Sequence, residues 1–175
     1  MALVLNSSSI TGLSSSGGFS SRQIGEVLQV VSATYTTSTS TSSTSYIDTG
    51  LTATITPSST TSKILIFINH TENYKTAGNV NNNLQINLVK NGTEITQFNN
   101  SLGYTGTTMD LVFSASYSYL DSPATSSSIT YKIQACARTD GQGGTMYINR
   151  SNTDRDTVSY DARGVSSIVV MEIAA

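Results

Sequence analysis

Apolar side chains recur at every second position along most of this chain, and nowhere do they keep a helical spacing over three turns. An extended strand sends alternate residues to opposite faces, whereas a helix buries a stripe with a period of about 3.6, so the pattern demands strands. Val27, Leu28, Val30 and Val31 open the first strand, which continues through Ala33 and Tyr35. A Thr and Ser run from Thr36 to Ser45 tolerates further extension through its β-branched members. Ile47, Leu51, Ala53 and Ile55 alternate with polar residues, as do Leu84, Ile86 and Leu88, and then Leu111, Phe113, Ala115, Tyr117 and Tyr119. Ile129, Tyr131, Ile133, Ala135 and Ala137 share one face, with Lys132, Gln134, Cys136 and Arg138 on the other. One segment departs from alternation. Ile64 to Ile68 is apolar at every position, which predicts a strand covered on both faces.

Turn chemistry separates these runs. Pro57-Ser58-Ser59 and Pro123 end two of them, and Asp140-Gly-Gln-Gly-Gly144 reads as a hairpin turn leading to Thr145–Asn149. Asn91-Gly92 supplies the two positive-φ residues of a type I′ turn and predicts a tight hairpin. With the last strand over Ile168–Ile173, nine or ten short strands at regular spacing predict an all-β fold, an antiparallel β-sandwich of jelly-roll type.

Of 175 residues, 55 are Ser or Thr and only 11% are charged, for a net charge of -2. That balance excludes a nucleic-acid binder tracking phosphates with a basic face. The longest apolar runs fall far short of the roughly 20 residues of a spanning helix, so no membrane role is expected. Residues 1 to 25 are rich in Ser and Gly behind a Leu3-Val4-Leu5 patch and read as an extended arm; residues 26 to 175 form the sandwich. The N-terminus lacks the basic start and apolar core of a secretory signal. The arm's apolar tip can add a strand to a partner's exposed edge.

Chemistry-bearing residues are few. His70 is the single histidine, no glycine-flanked serine elbow accompanies it, and a surface or hydrogen-bonded position at a strand end is expected. Asp154, Asp156 and Asp161 lie near one another like a glycosidase pair, but Arg150, Arg155 and Arg163 share the segment and neutralise them. Asn152-Thr-Asp-Arg-Asp156 lacks the glycine and terminal glutamate of a calcium loop. Cys136, flanked by alanines on a strand, reads as a partly buried structural thiol, and one cysteine excludes an intrachain disulfide. The expectation is a non-enzymatic protein with no cofactor and no metal. Nine tyrosines together with Asn, Ser and Thr loops, such as Asn79–Asn83 and Ser151–Asp156, suit either a subunit interface or a glycan contact.

Several stretches are familiar in combination: Val27-Leu-Gln-Val-Val-Ser-Ala-Thr-Tyr35, Thr44-Ser-Tyr-Ile-Asp-Thr-Gly-Leu-Thr-Ala-Thr-Ile-Thr-Pro57, Ser62-Lys-Ile-Leu-Ile66, Tyr147-Ile-Asn-Arg-Ser151 and Ala162–Ile173. In this order they resemble a module of tailed-bacteriophage structural proteins, fibre-like or capsid-associated, especially from phages of marine and cyanobacterial hosts. The resemblance spans residues 24 to 175. It implies a homotrimer on the virion surface, assembled in the host cytoplasm and released by lysis. Because residues 1 to 25 are too short to fold into a tail adaptor, it implies first a capsid decoration or cement protein. Leu3, Val4 and Leu5 would then anchor it to the major capsid protein. The alternative is a short tail fibre or receptor-binding tail protein, contacting a host surface glycan through Asn152, Asp154, Arg155 and Asp156.

Overall fold

The structure, a computed structural model, describes residues 24–76, 82–138, 144–151, 153–154 and 163–175. Ten strands run through these residues: β1 (Val27–Tyr35), β2 (Thr39–Thr41), β3 (Ile47–Ile55), β4 (Lys63–Lys75), β5 (Asn83–Lys90), β6 (Thr93–Leu102), β7 (Leu111–Asp121), β8 (Ile129–Arg138), β9 (Met146–Ile148) and β10 (Ser166–Ile173). No helix occurs among the described residues. All pairings are antiparallel.

The β5–β6 hairpin is the tip of one long folded ribbon, whose successive pairs are β5 with β6, β4 with β7, β3 with β8, and β1 with β10. β4–β7 and β1–β10 join in one sheet, in the order β1-β10-β4-β7, and β3-β8-β5-β6 forms the other. Every connection between these eight strands except the β5–β6 turn therefore leads from one sheet to the other. That order is the jelly roll, and the expected sandwich is the observed fold.

Alternation decides which side chains meet between the sheets. Leu51 and Ile55 from β3, Ile64, Ile66 and Ile68 from β4, Leu84, Ile86 and Leu88 from β5, Ile129, Tyr131 and Ile133 from β8, and Ile168 and Val170 from β10 are all buried in one core. Each such side chain contributes about 1.5–3 kcal/mol by leaving water. Asn91 and Gly92 have φ of 49° and 85°, the two positive angles a type I′ turn requires. Gly50 interrupts β3 where its register with β8 shifts; its φ is +93°, and a Cβ there would sit 2.2 Å from the Tyr35 ring. Only glycine fits both demands.

β4 is longer than its apolar run. It continues past a bulge between His70 and Asn73, where Glu72 takes a φ of 49°. Before the bulge β4 pairs with β10, and beyond it with β9, while β7 follows the opposite edge throughout. His70 is therefore mid-strand and fully buried, contrary to the expected surface or hydrogen-bonded position at a strand end. Of the hydroxyl-rich run 36–45, only Thr39–Thr41 pairs, with β9.

Two polar ties reach out from the β1-β10-β4-β7 sheet. Asp121 of β7 accepts from Tyr131 Oη of β8 at 2.7 Å and pairs with Lys90 Nζ of β5 at 2.9 Å. Glu172 of β10 is buried and takes four hydrogen bonds from Gln29, Ser58 and Ser62.

Candidate assembly face

The outer face of the β1-β10-β4-β7 sheet is the feature that the core does not explain. The strand register sets Val30, Met171, Leu65 and Leu120 side by side in one row across all four strands. The next row holds Val169 and Phe67 between Ser32 and Ser118, and the one after it is polar, with Thr34, Ser167, Asn69 and Ser116. Below the first row, Val27 lies beside Ile173 and Lys63. Val30 is 54% exposed, Phe67 44% and Leu120 52%.

Scattered exposed apolar residues are ordinary on a protein surface; a contiguous band across four strands marks an interaction site. Lys63 is the one charged residue at the outward positions of this band, and its ammonium bonds Ser122 Oγ at 3.1 Å. Beside Phe67, a shallow groove of about 410 Å³ is bordered by Asn69, Ser116, Ser118, Ser167 and Val169, with no charged side chain among them. This is a surface suited to burial against another protein.

β4 was expected to be covered on both faces, and among the described residues it is covered on one. Ile64, Ile66 and Ile68 point into the core, while Leu65 and Phe67 point out. The continuous apolar run was the signal for the second face. It could not show that Val30, Val169, Met171 and Leu120 would join it, because only the register of β1, β10 and β7 brings them together.

The residues singled out from the sequence lie elsewhere. Leu3, Val4, Leu5, Asn152, Arg155 and Asp156 lie outside the described residues, as do Asp140–Gly143 of the glycine-rich turn. Asp154 is described. It accepts from Arg163 Nε at 2.7 Å and Ser38 Oγ at 3.0 Å, with Arg150 at 4.0 Å, and these partners, Arg163 foremost, hold its carboxyl below the usual range. It is a neutralised loop carboxylate, as its arginine neighbours implied.

Among the described residues neither ring nitrogen of His70 has a partner in hydrogen-bonding geometry, and burial, opposed only in part by the nearby Asn73 side chain, pushes its pKa down to about 4. Cys136 is buried beneath Gln85, whose Oε1 lies 3.7 Å from the sulfur, and burial raises its pKa. No group of three or more His, Cys, Asp or Glu that could hold a metal occurs among the described residues. No described helix is long and apolar enough to cross a membrane.

No protein-family model matches the chain. No curated protein matches it either. Among solved structures, it is similar to the infectious bursal disease virus VP2 subviral particle, at 14% identity and a TM-score of 0.42, over 84% of this chain and 38% of that one. It is also similar to the T13 viral particle of the same virus, at 14% identity and a TM-score of 0.42, over 100% of this chain and 40% of that one. The chain spans about two fifths of the length of these structures. The jelly-roll assignment rests on the strand order itself.

Proposed function

We propose that this chain is a non-enzymatic structural protein of a tailed-phage virion, working as a homotrimer on the particle surface. The observation that carries this is the apolar face of the β1-β10-β4-β7 sheet, on which Lys63 is the one charged residue among those described, a surface suited to lasting contact with protein. The resemblance of residues 24 to 175 to tailed-phage structural modules supports the virion setting, and a jelly roll is a fold that capsid proteins use.

The leading role is capsid decoration. In that role Leu3, Val4 and Leu5 anchor the chain by adding to an exposed strand edge of the major capsid protein. β1 begins immediately after Glu26, and Ile24, two residues before Glu26, is 90% exposed. The test is a chain lacking residues 2 to 20, mixed with purified undecorated capsids. Loss of binding with an intact sandwich supports the anchor, and undiminished binding overturns it.

A further inference from the structure

We propose that the outer face of the β1-β10-β4-β7 sheet is where copies of this chain hold one another, with three such faces turned toward a common axis. The proposal rests on the self-assembly proposed above and names the surface that closes the trimer.

Width argues for a second copy as the occupant. Four strands at about 4.8 Å give a band about 19 Å across, and three rows two residues apart give about 20 Å along the strands. A single extended segment covers one strand's width and leaves most of such a band wet. Another broad sheet face, packed about 10 Å away, covers it.

Charge argues the same way. A partner chosen by electrostatic complementarity would meet fixed charges here. This band holds Val30, Leu65, Phe67, Leu120, Val169 and Met171, fringed by hydroxyls and with Lys63 as its one charge at the end, so identical faces meet little repulsion. Apart from Lys63 at the end of the band, the charges near it are turned away: Lys132 pairs with Asp48 on the other sheet, and Asp121 and Glu172 point inward.

Area limits what this face can hold by itself. The flat area is about 400 Å², roughly half of the 800 Å² or so that each side of a standard two-body interface buries. A lone pair joined by this face is weak. In a closed three-fold ring each copy meets two neighbours, and its edge strands approach them beside the shared face, which adds contact that the face alone does not supply.

The test uses the full chain and its native mass, measured by sedimentation over a range of concentrations. Phe67→Glu and Leu120→Glu put a carboxylate on the face from two different strands, at half-exposed positions outside the buried core. Thr54→Glu, exposed on the other sheet, is the control. The wild type and Thr54→Glu are expected at three times the 18.5 kDa chain mass. Both face variants are expected at the single-chain mass, with unchanged circular dichroism and association weakened by more than about a hundredfold.

Face variants that keep the wild-type mass overturn the proposal. So does a wild type that stays monomeric, and if deleting residues 2 to 20 then makes it associate, the chain's own N-terminal segment is the occupant. A trimer that survives both substitutions leaves the virion proposal standing. A chain absent from purified particles, yet trimeric through this face, refutes the virion proposal alone.

Discussion

Replacing Glu172 with Gln removes a single negative charge at a site where the protein has arranged four donors around it. Oε1 accepts from the Ser58 amide at 2.7 Å, Ser58 Oγ at 2.6 Å and Ser62 Oγ at 2.7 Å, and Oε2 accepts from Gln29 Nε2 at 2.6 Å. Burial alone pushes this carboxyl up, and the four hydrogen bonds overcome it, bringing the pKa from 4.5 down to about 2. At about 1.36 kcal/mol for each tenfold in affinity for the proton, that difference corresponds to about 3 kcal/mol favouring the charged form in the folded state. Allowing for solvent near the rim of the sandwich, the cost of Glu172→Gln at neutral pH is about 2–3 kcal/mol. The amide reproduces the protonated acid in shape, and it turns an NH₂ toward Gln29 Nε2 or Ser58 N, donor against donor.

The sign with pH follows from the depressed pKa. The contribution is fully present above the unfolded value of 4.5 and is lost as pH falls toward about 2. Wild type and variant should therefore differ most at neutral pH and converge in strong acid. Urea unfolding followed by far-ultraviolet circular dichroism, with both proteins at one concentration, measures the gap. The chain has no Trp, so tryptophan emission is no substitute. A Glu172→Gln protein within about 0.5 kcal/mol of wild type at neutral pH, with a parallel pH profile, would refute the role assigned to these hydrogen bonds.

Two further perturbations test other parts of the interior. His70 titrates at about 4 in the folded chain against 6.5 unfolded, so the unfolded state takes the proton first, and wild type should lose about 3 kcal/mol between those pH values. His70→Leu should flatten that part of the profile, and an unchanged slope would place the acid sensitivity elsewhere. Asp121→Ala strands Tyr131 Oη and Lys90 Nζ and should cost about 3 kcal/mol in denaturant unfolding. A loss below about 1 kcal/mol would show that solvent replaces both contacts.

Local chemistry made much of the fold legible. Period two separated Ile129, Tyr131 and Ile133 from Lys132 and Gln134, because strand geometry puts neighbours on opposite faces whatever surrounds them. Asn91-Gly92 announced its turn because few other pairs accept two positive φ angles. What depended on distant partners did not show. Asn69-His-Thr-Glu-Asn73 is polar and looks like a strand end, but β7, β9 and β10 supply neighbours across the bulge and carry β4 on to Lys75. Glu172 sits in an otherwise apolar last strand, and nothing local shows that Ser58 and Ser62 will cap it. The assembly face was half legible. The apolar run of β4 called for a second cover, while the rows completing the face come from strands about 50 to 140 residues apart in sequence, joined only by register.

A structural component of a virus particle, the role proposed for this chain, must be present in purified virions. Its copy number in purified virions, measured by quantitative mass spectrometry against the major capsid protein, tests that most directly. Decoration of the capsid predicts hundreds of copies per particle, in multiples of three, whereas a few to a few tens would place it in tail fibres. Its absence from purified particles would contradict the account.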